Sequence, residues 1–137
     1  MNKIPKYWNL AKKYLSKKDK VMKLLISKYS EPSEVTLTTR KDIFYSLCKS
    51  IIGQQISVAA ANSVFLKFKK KCKSKINAKT VYKLTTTQLK SCGLSRQKVK
   101  GIKSLAKQTL DKTFNPKLIP KMTDEEAIIY LSKLRQI

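Results

Sequence analysis

Apolar side chains recur every three or four residues along most of this chain, and nearly every such run opens on a Ser, Thr, Asp or Asn. That period gathers them on one face of a helix and would scatter them over both faces of a strand, which argues against a sheet protein. Tyr7, Ala11, Tyr14 and Leu15, then Val21, Met22, Leu25, Ile26 and Tyr29, predict two short amphipathic helices. Ser16 and Asp19 stand between them as a cap and a first-turn acid. From Ser30 to Thr39 the period stops: Glu31-Pro32-Ser33 reads as a turn, and Val35 to Thr39 as an extended connector too short to start a sheet.

A third helix is predicted from Asp42 to about Ile52, with Ile43, Phe44, Leu47, Cys48, Ile51 and Ile52 on a wide apolar face and Gly53 at its end. Ser57 is placed to cap a fourth, through Ala59, Ala60, Ala61, Val64, Phe65 and Phe68, which runs into the basic stretch Lys67 to Lys75. Asn77 starts a short helix through Val81, Tyr82 and Leu84, and Thr86 or Thr87 another through Leu89 and Cys92, closed by Gly93. Ser95 caps a long helix to about Asp111 with Val99, Ile102, Leu105, Ala106 and Leu110 inward. Pro116 and Pro120 bracket a loop. Thr123-Asp124-Glu125-Glu126 is a capping box opening a last helix whose face is Ala127, Ile128, Tyr130, Leu131 and Leu134. The expected class is all-α, one helical domain over residues 1–137, with N-terminal helices and connector over 1–39 and the main body over 40–137.

Composition narrows the chemistry. With 137 residues, 42% of them hydrophobic, the chain suffices for one packed domain. It has no histidine, which removes Ser-His-Asp and Cys-His nucleophile arrangements and histidine metal sites. Cys48, Cys72 and Cys92 form an odd set without CxxC spacing, so they read as reduced core thiols, and no metal or cofactor is expected. The N-terminus lacks an apolar signal region and no stretch approaches a membrane span, so a cytoplasmic location and no membrane partner are expected. The 31 basic and 8 acidic residues leave a net charge of +23. Lysine supplies 28 of the basic residues, a bias that an AT-rich coding sequence also produces, and the remaining excess calls for a polyanion, nucleic acid before a membrane surface.

The segment from Asp42 to Ala61, with its Ile52-Gly53-Gln54-Gln55-Ile56-Ser57 block, resembles the DNA-3-methyladenine glycosylase II branch of the helix-hairpin-helix DNA glycosylases. The upstream Tyr14-Leu15 to Asp19 segment, the Leu89 to Gly93 turn and Gly93-Leu94-Ser95-Arg96-Gln97-Lys98-Val99 match in order, the last being similar to a Gly-x-Ser-x-x-Lys-Ala stretch of that family. The resemblance covers about Tyr7 to Ile137. It implies a multi-helix orthogonal bundle, a double-stranded DNA partner containing alkylated bases, and hydrolysis of the N-glycosidic bond of alkylated purines such as 3-methyladenine. The Asp124 to Leu134 helix corresponds to the first helix of the hairpin. The family's Pro-Gly-Ile-Gly turn, second helix and catalytic aspartate would lie beyond Ile137. The resemblance therefore assigns no catalytic residue here, and the 137 residues by themselves are expected to be an incomplete, inactive body in which Leu131 and Leu134 lack partners and the fold is marginal.

What the resemblance does carry over is a DNA-facing surface. A damaged base must leave the stack before it can be cut, and a side chain from an interhelical loop fills the hole. Gln55 stands at the matching place, where an amide can occupy the gap and hydrogen-bond the orphaned partner base; Gln54 beside it also suits a helix end or a buried backbone group. Ser57 suits a cap more than a DNA contact. Lys49, Arg96, Lys98, Lys100 and Lys103 are expected on polar helix sides, facing phosphate or solvent. Two alternatives stay open: a non-catalytic basic DNA-binding protein, and a glycosylase of another helix-hairpin-helix branch.

Overall fold

The computed structural model describes residues 4–29 and 40–137; the turn and connector expected between Ser30 and Thr39 lie outside these. The chain forms two compact units, Met1–Lys41 and Asp42–Ile137, and among the described residues all regular structure is helical.

In the first unit α1 (Trp8–Lys18) and α2 (Lys20–Lys28) pack on each other. Asp19 makes the joint. Its N–H closes α1 on the Leu15 carbonyl, while its carboxylate accepts from the N–H groups of Val21 and Met22 at 2.7 and 3.0 Å. It is thus the N-cap itself rather than a first-turn acid.

The second unit runs α3 (Ile43–Gly53), α4 (Val58–Lys71), α5 (Ala78–Lys83), α6 (Thr86–Ser91), α7 (Arg96–Leu110), a 3-10 helix (Pro116–Lys121) and α8 (Asp124–Ser132). Side-chain caps start each of the six α-helices: Asp42, Ser57, Asn77, Thr85, Ser95 and Thr123 each accept a hydrogen bond from a backbone N–H three residues on. The cap of α6 is Thr85 rather than Thr86 or Thr87, because Gln88 returns a bond to the Thr85 N–H and completes a capping box. Gly93 turns the chain out of α6 at φ +95°, a conformation that a side chain opposes.

Helix α7 is the pivot of the packing: α3, α5 and α6 all lean on it, and α4 packs on α3. Its Val99, Ile102, Leu105 and Ala106 face Phe44, Cys48, Ile51 and Ile52 of α3, Phe65 and Phe68 of α4, Val81 and Leu89 in one buried cluster. Tyr45 meets Phe65 edge-on at 5.3 Å. Leu110, expected inward, is 44% exposed. It is the last residue of α7, after which the chain reverses through Lys112 in a left-handed conformation and inserts Phe114 into the core instead.

The expected loop between Pro116 and Pro120 is the 3-10 helix, capped by the Asn115 side chain on the Lys117 N–H and started by a proline whose missing N–H costs nothing there. The expected face of α8 is also corrected. Ile128 is 67% exposed; Tyr130 and Leu131 are half-buried against the core, and Leu134, just past the helix, is buried. Tyr130 stacks on Phe114 at 5.3 Å and its hydroxyl oxygen accepts from the Asn115 N–H at 2.8 Å. The partners of Leu131 and Leu134 are therefore inside residues 42–137, which removes the reason given for expecting a marginal fold.

Candidate nucleic-acid interface

The turn between α3 and α4 is held from two directions. Gln54 ends α3; the Lys98 ammonium, from the first turns of α7, donates to the carbonyl oxygens of Ile52 at 2.8 Å and Gln54 at 2.7 Å. A cation on the last carbonyls of a helix satisfies acceptors that have no intrahelical donor and lies favourably in the helix dipole. The Gln54 side chain donates through Nε2 to the Gln136 carbonyl at 2.6 Å, and Gln136 donates in turn to Gln97 Oε1 at 3.1 Å. Gln55 follows at φ +55°, exposed, before Ile56 and the Ser57 cap of α4. Gln54, Gln55, Ser95, Gln97, Lys98 and Gln136 line a cleft of about 680 Å³. Its walls are carboxamides, a hydroxyl and an ammonium, groups that hydrogen-bond base edges and phosphate.

Of the residues singled out from the sequence, Gln54, Gln55 and Lys98 meet at this cleft. Ser57 caps α4, its hydroxyl accepting from the Ala60 N–H at 3.1 Å. Arg96 is exposed beside the cleft at the start of α7. Lys49 lies elsewhere, its ammonium 5.6 Å over the Phe65 ring. Lys98 and Lys103, expected on a solvated helix side, turn inward: Lys103 donates to the Leu84 carbonyl at 2.7 Å and tethers α7 to the end of α5. The physical reason is the same for both, since helix ends leave carbonyls that a long flexible cation can reach. Gln97 was not singled out although it lies within the Gly-x-Ser-x-x-Lys stretch; Gln136 carried no local signal at all.

Among the described residues no carboxylate lines the cleft. In residues 42–137 Asp42 caps α3, Asp124, Glu125 and Glu126 form the first turn of α8, and Asp111 closes on Thr113. The Thr113 hydroxyl and N–H hold the Asp111 carboxyl below its ordinary range, a local turn bond rather than a poised acid. The three thiols are free and buried. Burial drives Cys48 far above the usual thiol range, pushes Cys72 up to about 11 and raises Cys92, so none is nucleophilic near neutrality.

Among the described residues the body is all-helical, with a polar turn between two capped helices opening on a cleft of hydrogen-bonding groups. The chain belongs to the HhH-GPD superfamily of base excision DNA repair proteins, whose family model matches residues 48–133. It is 29% identical over 131 residues to the alkylbase DNA glycosidase-like protein mag2 of Schizosaccharomyces pombe, covering 93% of this chain and 61% of that protein. Among solved structures, the fission yeast 3-methyladenine DNA glycosylase Mag1 in complex with abasic DNA superposes with a TM-score of 0.79 at 22% identity, over 93% of this chain and 63% of that one. The DNA-3-methyladenine glycosidase of Bacillus halodurans superposes with a TM-score of 0.69 at 21% identity, over 75% of this chain and 48% of that one. The chain spans about three fifths of the length of the curated relative it matches.

Proposed function

We propose that these residues carry the damage-probing step of a DNA glycosylase that hydrolyses the N-glycosidic bond of alkylated purines such as 3-methyladenine. Gln55 enters the space left by the displaced nucleotide, and Gln54, Arg96, Lys98 and Ser57 form or support the surface around it, while Lys49, away from the cleft, has no part in the probe. The observation that carries the reading is Gln55 itself, an exposed amide in a left-handed turn at the rim of a cleft of hydrogen-bonding groups. Likeness to relatives named as alkylbase and 3-methyladenine glycosidases supports the substrate class. Loss of an alkylated purine builds positive charge on the sugar, which a carboxylate stabilises while water completes the reaction. The cleft, lined among the described residues by carboxamides, a hydroxyl and an ammonium, supplies binding and probing of DNA rather than the bond-breaking step. Three free thiols support a cytoplasmic setting.

The test is binding of the purified chain to two duplexes that differ only by one abasic site. Preference for the abasic duplex, lost in Gln55→Ala by about 1–3 kcal/mol, is expected. Equal affinity for both duplexes in the wild-type chain refutes the probing role and leaves the second reading, a non-catalytic basic DNA-binding protein, which the charge of +23 favours.

A further inference from the structure

We infer that Lys98 is a positioning residue for the Gln55 turn and not a phosphate contact; the inference rests on the reading of Gln55 as the probe. Gln55 sits at φ +55°, where an L side chain stays only if its surroundings dictate it. The Gln54 carbonyl and the Gln55 N–H belong to one planar peptide unit, so whatever fixes the direction of that carbonyl also fixes the direction of the N–H and restricts Gln55 φ. Lys98 fixes it: the ammonium accepts no bonds and spends two of its three N–H groups on the Ile52 and Gln54 oxygens at 2.8 and 2.7 Å. A second tie acts on the same residue from the other side, the Gln54 carboxamide on the Gln136 carbonyl at 2.6 Å. Ser57 then sets the exit into α4. Among the described residues the Gln55 side chain makes no hydrogen bond and stands exposed on this fixed backbone, which is what a probe requires.

A compact ammonium suits this seat and a guanidinium does not, because two carbonyls converging on one point need a small tetrahedral donor rather than a planar fork. Half-buried and committed to backbone oxygens, the Lys98 charge is already partly neutralised by the α3 dipole, and it has little to offer a phosphate. Lys100, exposed two residues further along α7, carries the same charge without these bonds and serves as the control.

The experiment compares Lys98→Met, Lys98→Arg and Lys100→Met with the wild-type chain and Gln55→Ala, measuring affinity for abasic and intact duplexes across a salt series. Lys98→Met is expected to cut the preference for the abasic duplex about tenfold, as far as Gln55→Ala does, with no further loss in the double variant and no change in salt slope. Lys98→Arg restores part of the preference, and Lys100→Met weakens both duplexes alike. A Lys98→Met chain that loses affinity for both duplexes equally, with the slope of log affinity against log salt reduced by about one, is a lost phosphate contact and overturns the inference. Hydrogen exchange of the amides of residues 54–56, measured without DNA, separates this outcome from failure of the probe reading. Faster exchange confined to that turn in Lys98→Met supports positioning even if Gln55→Ala leaves DNA binding untouched, and unchanged exchange overturns it. If Lys98→Met does not fold, the same two readouts on Lys98→Arg decide: a looser turn with reduced preference supports the inference, and a wild-type turn overturns it.

Discussion

Leu134→Ala tests whether residues 42–137 close their own core. Leu134 is 6% exposed, lies one turn past Leu131, and is the only buried side chain that the α8 region contributes; α8 itself buries none. The substitution removes three carbons, each worth about 0.8 kcal/mol when buried, and the site is at the edge of the core, where neighbours can relax into the gap. The expected loss is about 2–3 kcal/mol, or roughly 10 °C in the midpoint of thermal unfolding followed by far-ultraviolet circular dichroism. Ile128→Ala, on the same helix but 67% exposed, is the control and should stay within about 0.5 kcal/mol. Hydrogen exchange adds a local reading, because the amides of α8 should be protected in the wild-type chain and lose protection in Leu134→Ala before the rest of the body does. If the two variants unfold together with the wild-type chain, or the α8 amides exchange freely in the wild-type chain, then α8 is not docked in solution. The argument that Leu131, Leu134 and Tyr130 find their partners in this body would then be wrong.

Gly93→Ala should lose about 1–2 kcal/mol in urea unfolding, because φ +95° is unfavourable for a side chain and the new methyl would stand 3.2 Å from Val64 Cγ2; Val64→Ala should relieve the contact and leave the backbone strain. The raised thiols predict alkaline sensitivity: a group whose folded value is raised contributes full stability below its unfolded value near 9 and loses it as pH rises, for Cys72 until about 11. Unfolding midpoints measured from pH 8 to 11 should therefore fall with pH, and Cys72→Ala should flatten the fall in that window. Affinity for undamaged duplex should drop about a thousandfold between 50 and 200 mM salt if about six phosphates are neutralised, and a flat dependence would show that the +23 charge is not directed at DNA.

What the sequence determined by itself was whatever closes within a turn of helix. Ser57, Asn77, Ser95 and Thr123 could be read as helix starts because each bonds an N–H three residues away, a distance over which the chain has few other choices; Asp42, predicted as the first residue of its helix, is the cap. Phe44, Cys48, Ile51 and Ile52 were legible as a buried face from spacing alone. The Gln54-Gln55 turn was legible through its resemblance to a known block and through the helix stop and cap on either side.

Tertiary structure decided which way the amphipathic side chains turned. Lys98 and Lys103 look like solvated lysines in their own helices, and only the carbonyls of α3 and of the α5 end, 46, 44 and 19 residues away, draw them inward. Gln54 and Gln136 are 82 residues apart, so their bond leaves no periodic trace. Leu134 is buried in the same core cluster as Phe114 and the α7 residues, while Ile128, equally apolar, is 67% exposed. Helix caps and periodicity are short-range and repeat in the sequence; the end of one helix meeting the flank of another is a single event in space, fixed by how the bundle packs and written in no local pattern.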